Sequence, residues 1–505
     1  MALTETVKLQ DSQIPGKRPL DLLIEFFTRL NTESIRYCHW KSTCRLSKGL
    51  AGNTDLDLLF DRTQSRQLHQ LLARLDFKPF ISPPHRQFPT VEDYLGLDRD
   101  SGRLAHLHVY YRLVLGEQFV KNYSLPVADC FLSNTRLVDG VRIPIPELEL
   151  IVFVLRCLLK YRDRDLLRDL LKQGPTGLPP RALAELGYLQ GQTDENEIAR
   201  VLNYFPFLSP DLVFAFLDQV RSNPRAGATL YALRKRTRKD LAPYQRYSRL
   251  QARAKYYRVL FARSPLLSSA LRGVSTGKKK IPGTGGLSIA FIGSDGTGKS
   301  TVTRAMVKWL SWRVEARVFY MGNTSPSPVN RLVRNVRRVS VRLEGLFAGS
   351  IFARCSRFCE CLRYIADGFD RYRQYEKGRK WAAGGGIALF DRYPLPQVKV
   401  TGRPMDGPRI GCLNTGKAGR IQRVLARIEE SLYRRIEAPE NLVVLTATPE
   451  VCIARKPGHR ISTIKAKSEA VGSIETDGMR VIRIDAEKPA EETLLNVKTA
   501  LWELL

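Results

Sequence analysis

The chain has 505 residues, too many for one ordinary hydrophobic core, so two domains with connecting structure are expected. Its 81 Lys and Arg against 50 Asp and Glu leave a formal net charge of +31, which folding does not require and which calls for an anionic partner: nucleic acid, a membrane surface or phosphorylated substrates. The nine cysteines are scattered, the stretch Met1 to Pro19 is polar, and the longest apolar run, Leu150 to Leu155, is too short for a bilayer; this argues against a disulfide scaffold, a secretory leader and a membrane span. A cytoplasmic protein is expected, with peripheral attachment at the inner membrane face as an option.

In chain order, helical periodicity is predicted at Leu20 to Leu30 and from Glu147 to Leu171, and strand-like runs at Asp55 to Phe60 and Leu104 to Leu113. The first strand follows the small-residue turn Gly49-Leu50-Ala51-Gly52 and opens Asp55-Leu56-Asp57. Side chains two apart on a strand share a face, so Asp55 and Asp57 project together and repel unless a cation separates them, which suits one or two Mg²⁺ ions.

This pattern resembles the nucleotidyltransferase superfamily, a small-residue turn followed by D-h-D-h on a strand. The resemblance implies an α+β nucleotidyltransferase-like domain over residues 1–145, followed by a helical extension over 146–235. Trp40-Lys41-Ser42 upstream would bear on the triphosphate, although the family's glycine-serine pair is missing. The family's third carboxylate is expected on the later strand, where His106 and His108 stand instead. Imidazole can ligate a metal but does not supply the missing negative charge. A degenerate domain, or a polar strand face with satisfied histidines, is the competing reading.

From Arg221 to Lys280 there are 17 Lys or Arg against one acid, Asp240, with tyrosines interleaved, and residues 236–286 are expected to form a basic connector ending in the linker-like Gly273 to Gly286. A second basic segment, 331–342, spaces Arg331, Arg334, Arg338 and Arg342 as one stripe of a helix. Each could contact an anionic membrane surface or nucleic acid, and a solvated helix face or plain connector is the bland alternative. Cys355, Cys359 and Cys361 cluster without a completing ligand and are assigned to helix packing.

Beyond residue 286, strands predicted at Leu287–Ile292, Val314–Tyr320, Gly386–Phe390, Leu442–Ala447 and Val481–Ile484 alternate with helices, the signature of a parallel sheet in an α/β domain over 287–505. The first strand runs directly into Gly293-Ser294-Asp295-Gly296-Thr297-Gly298-Lys299-Ser300-Thr301, and a helix is predicted from Val302 to Trp312. That is G-x-x-x-x-G-K-[ST] in a strand–loop–helix setting: glycines let backbone N–H groups wrap an anion, Lys299 reaches the outer phosphates and Ser300 holds Mg²⁺. Asp391-Arg392-Tyr393 falls at the carboxyl end of another strand, where ligands of open parallel sheets bind. An acid there can position Mg²⁺, and an arginine can clamp a second phosphate.

These residues, with Thr448-Pro449-Glu450, Arg455-Lys456 and the basic loop through His459 and Arg460, resemble the thymidylate kinase group of P-loop nucleoside monophosphate kinases. The resemblance covers about 215 residues and rests on the Asp-Gly inside the phosphate loop, the Asp391-Arg392-Tyr393 motif and the lid-like region. It implies that Lys299, Ser300 and Mg²⁺ hold ATP, that Asp295 contacts the acceptor sugar and Arg392 its phosphate, that Arg455 and Arg460 close over the ATP phosphates, and that a dimer is the natural assembly. The stretch from Thr301 to Asp391 is long and arginine-rich, without identifiable thymine-reading residues, and Asp406 to Ile410 falls in the acceptor region. The expected function is therefore ATP- and Mg²⁺-dependent phosphoryl transfer to a nucleoside monophosphate, dTMP first, possessing a second nucleotidyltransferase site if the first domain is active. A kinase for another phosphorylated or sugar acceptor, and an ATP-switched protein that binds nucleic acid or membrane, are the alternatives.

Overall fold

A computed structural model describes residues 18–117, 119–171, 178–222, 227–262, 279–322, 326–346, 350–400, 402–413, 419–458, 460–474 and 478–505. The chain divides into two compact units, Met1–Thr276 and Gly277–Leu505.

In the first unit, helix α1 (Asp21–Thr32) precedes strands β1 (Tyr37–His39) and β2 (Leu56–Phe60), helix α2 (Ser65–Arg74), and strands β3 (Lys78–Ile81), β4 (Val91–Asp98) and β5 (Arg103–Tyr110). These strands lie in the order β1-β2-β5-β4-β3. β2 and β5 are parallel, pairing Asp57 with His108, whereas β4 runs antiparallel to β5 and pairs Asp93 with His108. The period of two divides each strand between two faces. Leu56, Leu58, Phe60, Ala105, Leu107 and Val109 pack against Leu23, Phe26 and Leu30 of α1 and Leu68 and Leu71 of α2. The alternate positions, among them Asp57, His106, His108 and Tyr110, therefore share the opposite face.

The long helical pattern predicted from Glu147 to Leu171 is two helices, α3 (Pro146–Lys160) and α4 (Asp163–Leu170). Tyr161 between them is extended, and the Asp165 carboxylate accepts the Arg162 N–H at 2.9 Å, starting a new helix instead of continuing the old one. α3 is buried nearly all round at the centre of a second core. Leu186, Leu189, Ile198, Val213, Phe216, Leu230 and Leu233 surround it, from helices α5 (Pro180–Gln190), α6 (Glu195–Leu202), α7 (Leu212–Ser222) and α8 (Gly227–Asp240).

The basic segment is more structured than a connector. α8 belongs to this core, and residues 249–262 form helix α9 (Arg249–Ala262). Its excess charge is partly cancelled by acids remote in sequence. Arg234, 2% exposed, donates to Asp163 at 2.5 Å and Glu117 at 3.1 Å, Arg238 also reaches Glu117, and Arg236 pairs with Asp211. Residues 263–278, which include the first six residues of the linker-like stretch, lie outside the described residues.

The second unit contains strands β6 (Leu287–Gly293), β7 (Ala316–Tyr320), β8 (Ile387–Asp391), β9 (Asn441–Thr446) and β10 (Arg480–Asp485). They form a five-stranded sheet in the order β7-β8-β6-β9-β10, with every neighbouring pair parallel. Ile289 to Ile292 and Ile387 to Leu389 are at most 1% exposed, as expected for strands covered on both faces; burying each large side chain contributes about 1.5–3 kcal/mol. Its principal helices are α10 (Lys299–Leu310), α11 (Pro328–Leu346), α12 (Ser350–Ala383), α13 (Arg420–Arg434), α14 (Pro449–Arg455), α15 (Ile461–Gly472) and α16 (Ala490–Leu504). The chain enters at the central β6, runs outward to β7, returns to β8, then crosses to β9, so the strand order switches at the carboxyl end of β6.

Candidate functional site

The loop Gly293–Gly298 occupies that switch point. Gly296 has φ +101°, and a Cβ there would lie 2.6 Å from the Cys452 carbonyl oxygen of α14, so neither the backbone angle nor the space admits a side chain. Gly298, at φ +83°, begins α10 without a side-chain cap and leaves the first-turn N–H groups to an incoming anion. Lys299 is buried, with its Nζ folded back to donate to the carbonyls of Gly293 at 2.7 Å and Ser294 at 2.6 Å. Burial pushes its pKa down to about 8, against the opposing pull of Asp295.

β8 delivers Asp391 beside the start of α10, where Ser300 Oγ donates to Asp391 Oδ2 at 2.8 Å. Asp391 is 2% exposed, and its other oxygen, Oδ1, is buried without a hydrogen-bond partner. A hydroxyl and a carboxylate with an unfilled oxygen are hard-oxygen donors suited to Mg²⁺. Thr301 is the exposed third residue of α10, while Thr297 is buried and donates through Oγ1 to the Ser294 carbonyl at 2.9 Å, bracing the loop.

Asp295 and Arg392 are brought together: Arg392 Nη2 lies 3.6 Å from Asp295 Oδ1, with its guanidinium 6.0 Å from the centre of the Tyr320 ring. The φ of +65° at Arg392 is uncommon for a residue other than glycine and turns the backbone sharply at the strand end. A residue that sequence reasoning missed joins them. Lys467 of α15 donates to Asp295 Oδ2 at 2.5 Å. Burial opposes the Asp295 charge, but Lys467, Lys299 and Arg392 outweigh it and hold the carboxyl near pKa 2. The only sequence signal for Lys467 was its place nearly two turns past the basic loop.

Tyr393 is structural: it is buried against Phe390 and Tyr375 and donates to the Glu437 carbonyl at 2.6 Å. Arg455 and Arg460 do not join the loop in this structure. Arg455 ends α14 and donates to the Ala486 carbonyl at 2.7 Å, whereas Arg460 is exposed at the start of α15. His459 lies outside the described residues.

Two cavities flank the loop. One of about 270 Å³ lies between the ends of β9 and β10 and is lined by Ser294, Ala447, Thr448, Ser468 and Glu487. The other, about 220 Å³, lies beyond the end of β7 and carries Tyr320, Arg331, Arg371, Arg373 and Lys377. Arg371, missed in the sequence, is buried; it donates to the Met321 carbonyl at 2.9 Å and to Tyr433 Oη at 2.8 Å, and pairs with Asp406 at 3.3 Å. The Asp406–Ile410 segment is thereby anchored beside this cationic cavity.

In the first unit, Asp55 sits one residue before β2 and Asp57 within it. A further carboxylate, Asp93, comes from β4, which runs antiparallel to β5. His106 Nδ1 lies 2.8 Å from Asp55 and its Nε2 3.3 Å from Asp93; His108 Nδ1 lies 3.2 Å from Asp57 and its Nε2 3.1 Å from Asp93. Lys41 pairs with Asp57 at 2.9 Å. Burial disfavours the Asp57 charge, yet Lys41 and His108 keep its pKa well below the usual range. Burial lowers the pKa of His106, whereas for His108 hydrogen bonds donated to the Asp57 and Asp93 carboxylates overcome burial and raise it.

All nine cysteines are free thiols. Among the described residues, no helix is long and apolar enough to cross a membrane.

No protein-family model matches the chain. It is similar to the Escherichia coli K12 protein named uncharacterized ATP-binding protein YghR, with 30% identity over 238 residues, 44% of this chain and 87% of YghR. It also resembles the K12 protein named uncharacterized ATP-binding protein YghS, at 27% identity over 221 residues, 41% of this chain and 88% of YghS. With that identity and that coverage of the relative, the chain belongs to the same protein family as YghR.

Proposed function

We propose that the second unit binds ATP and transfers its γ-phosphoryl group to a nucleoside monophosphate, with dTMP as the first acceptor on the thymidylate kinase resemblance. The observation that carries the reading is the Ser300–Asp391 pair at the phosphate loop, with one buried carboxylate oxygen of Asp391 left unpartnered. The ATP-binding names of YghR and YghS support the nucleotide.

Lys299 exchanges its two loop carbonyls for β- and γ-phosphate oxygens, and the first-turn N–H groups of α10 take up further negative charge. Arg392 clamps the acceptor phosphate, and Asp295, fixed by Lys467, accepts from the acceptor sugar. An acceptor phosphate oxygen then bonds to the γ-phosphorus as the bond from that phosphorus to the β–γ bridging oxygen breaks, and ADP leaves with the bridging oxygen. The acceptor phosphate attacks as its anion, so no catalytic base is needed. Mg²⁺ held by Ser300 and Asp391 would supply charge neutralisation on the transferring group. The test is ADP release from ATP and Mg²⁺ across dTMP, the other nucleoside monophosphates and sugar phosphates. Turnover with a nucleoside monophosphate, lost in Lys299→Ala, is expected; turnover confined to sugar phosphates would replace the acceptor class.

A second reading, attachment to an anionic membrane surface, is favoured by α11. Val329, Leu332, Val336, Val339, Leu343 and Leu346 follow a 3-4-3-4-3 spacing and are all exposed, from 37% to 76%. Arg331, Arg338 and Arg342 border this stripe, while Arg334 and Arg337 turn away to pair with Asp367 and Glu360 of α12. Nucleic acid offers phosphates but no phase for six apolar side chains, and two copies of so basic a helix repel; an acidic lipid surface meets both needs. Co-sedimentation with phosphatidylserine vesicles should exceed that with neutral vesicles and weaken in Val336→Asp/Val339→Asp. Equal capture by both vesicle types would end this reading.

A further inference from the structure

The Asp–His cluster of the first unit was expected to hold Mg²⁺ through Asp55 and Asp57. Its geometry does not favour that pair. Asp57 is drawn to Lys41 at 2.9 Å and to His108 Nδ1 at 3.2 Å, so its negative charge is already met. The convergence lies one register away. His106 Nε2 and His108 Nε2, on the same face of β5, approach the same oxygen, Asp93 Oδ1, at 3.3 and 3.1 Å. Asp55 Oδ2 lies 4.0 Å from His108 Nε2, and ligand atoms of Asp55, His106 and His108 all fall within 4.8 Å of one another.

Two donors each about 2.1 Å from a tetrahedral ion stand about 3.4 Å apart, so these separations are those of a coordination shell. Proton chemistry points the same way. A neutral imidazole carries one N–H, yet all four ring nitrogens here face carboxylate oxygens. In a neutral ring, the nitrogen without a proton opposes an oxygen lone pair unless a cation lies between them. Imidazole nitrogen is a ligand for first-row transition metals, whereas Mg²⁺ takes oxygen ligands.

We propose that Asp55, Asp93, His106 and His108 form a single-ion site for a divalent transition metal, with Asp57 outside the shell orienting His108 through its Nδ1–H. The Lys41–Asp57 pair keeps this carboxylate in that supporting role, an arrangement in which a carboxylate fixes the tautomer of a metal-bound histidine. His106 is 2% exposed and the Asp93 side chain 9%, while Asp55 and His108 are about a quarter exposed, which leaves the ion open on one side to water or a ligand. The site is independent of the phosphate loop and of the acceptor assigned to it.

The test uses the full chain, stripped with chelator and titrated with Co²⁺ by visible absorption, then with Zn²⁺, Mn²⁺ and Mg²⁺ by calorimetry. One Co²⁺ per chain is expected, with a ligand-field band that Zn²⁺ displaces and that shows no thiolate charge transfer. His106→Asn and His108→Asn should each weaken it at least tenfold, and Lys299→Ala should leave it unchanged. His108, the more exposed ring, gives the decisive variant should His106→Asn fail to fold by circular dichroism. Absence of the band, its persistence in His108→Asn, thiolate charge-transfer absorption, or Mg²⁺ binding as tight as Zn²⁺ and unaffected by the histidine variants would each overturn the assignment.

Discussion

Both units place carboxylates near one end of a parallel strand pair, but they neutralise them in opposite ways. At Asp391 one oxygen is satisfied by Ser300 and the other is left bare beside a loop built to wrap anions. At Asp55, Asp57 and Asp93 the carboxylates are answered by a lysine and two imidazoles. The first arrangement leaves room for a hard cation carried in with phosphate; the second builds nitrogen ligands into the protein itself. The same residue type near a strand end thus means different chemistry according to what the adjoining strand or helix sets opposite it.

The sharpest way to break this contrast is Lys299→Ala. ATP turnover should fall a hundredfold or more by coupled ADP assay, while metal binding in the first unit is untouched. An equal loss at both sites would show a folding defect and not a local one. Asp391→Asn comes next, with turnover reduced about 10- to 100-fold and the Mg²⁺ concentration for half-maximal rate raised. An unchanged Mg²⁺ titration would remove Asp391 from the cation's shell.

A smaller effect follows from Lys299 titrating near 8. It is charged below that pH and neutral above it, and phosphate binding needs the charge. ATP affinity measured by equilibrium binding should therefore weaken as pH rises through 8, approaching tenfold per unit, with little change between pH 6 and 7. The smallest expected change is at Lys41. Removing its charge in Lys41→Ala should tighten Co²⁺ binding about threefold, because a nearby cation repels the ion.

How much could be read from the chain depended on the range of the interactions. The three inner strands of the parallel sheet, β8, β6 and β9, were visible because strands buried on both faces are continuous apolar runs, and the phosphate loop because its glycine and lysine spacing is local. Asp391 and Arg392 could be placed at a strand end for the same reason. Lys467, Arg371 and Asp93 could not be found, since each matters through a partner 172, 50 or 13 residues away. The same limit misjudged the basic segment 221–280. Counted along the chain it holds almost no acids, but in space Arg234 is matched by Asp163 and Glu117. The break at Tyr161 was missed because Arg162 and Asp163 continue a helical pattern that only the local Asp165 bond interrupts.

The lysine that folds onto its own loop has one more consequence. With two short bonds to the Gly293 and Ser294 carbonyls, the Lys299 ammonium is a built-in occupant that any visitor must outbid. A compact anion offers its charge around one centre, whereas a polyphosphate offers charged oxygens on several phosphorus atoms at once. The loop should therefore favour chains of phosphate over compact anions such as sulfate and orthophosphate.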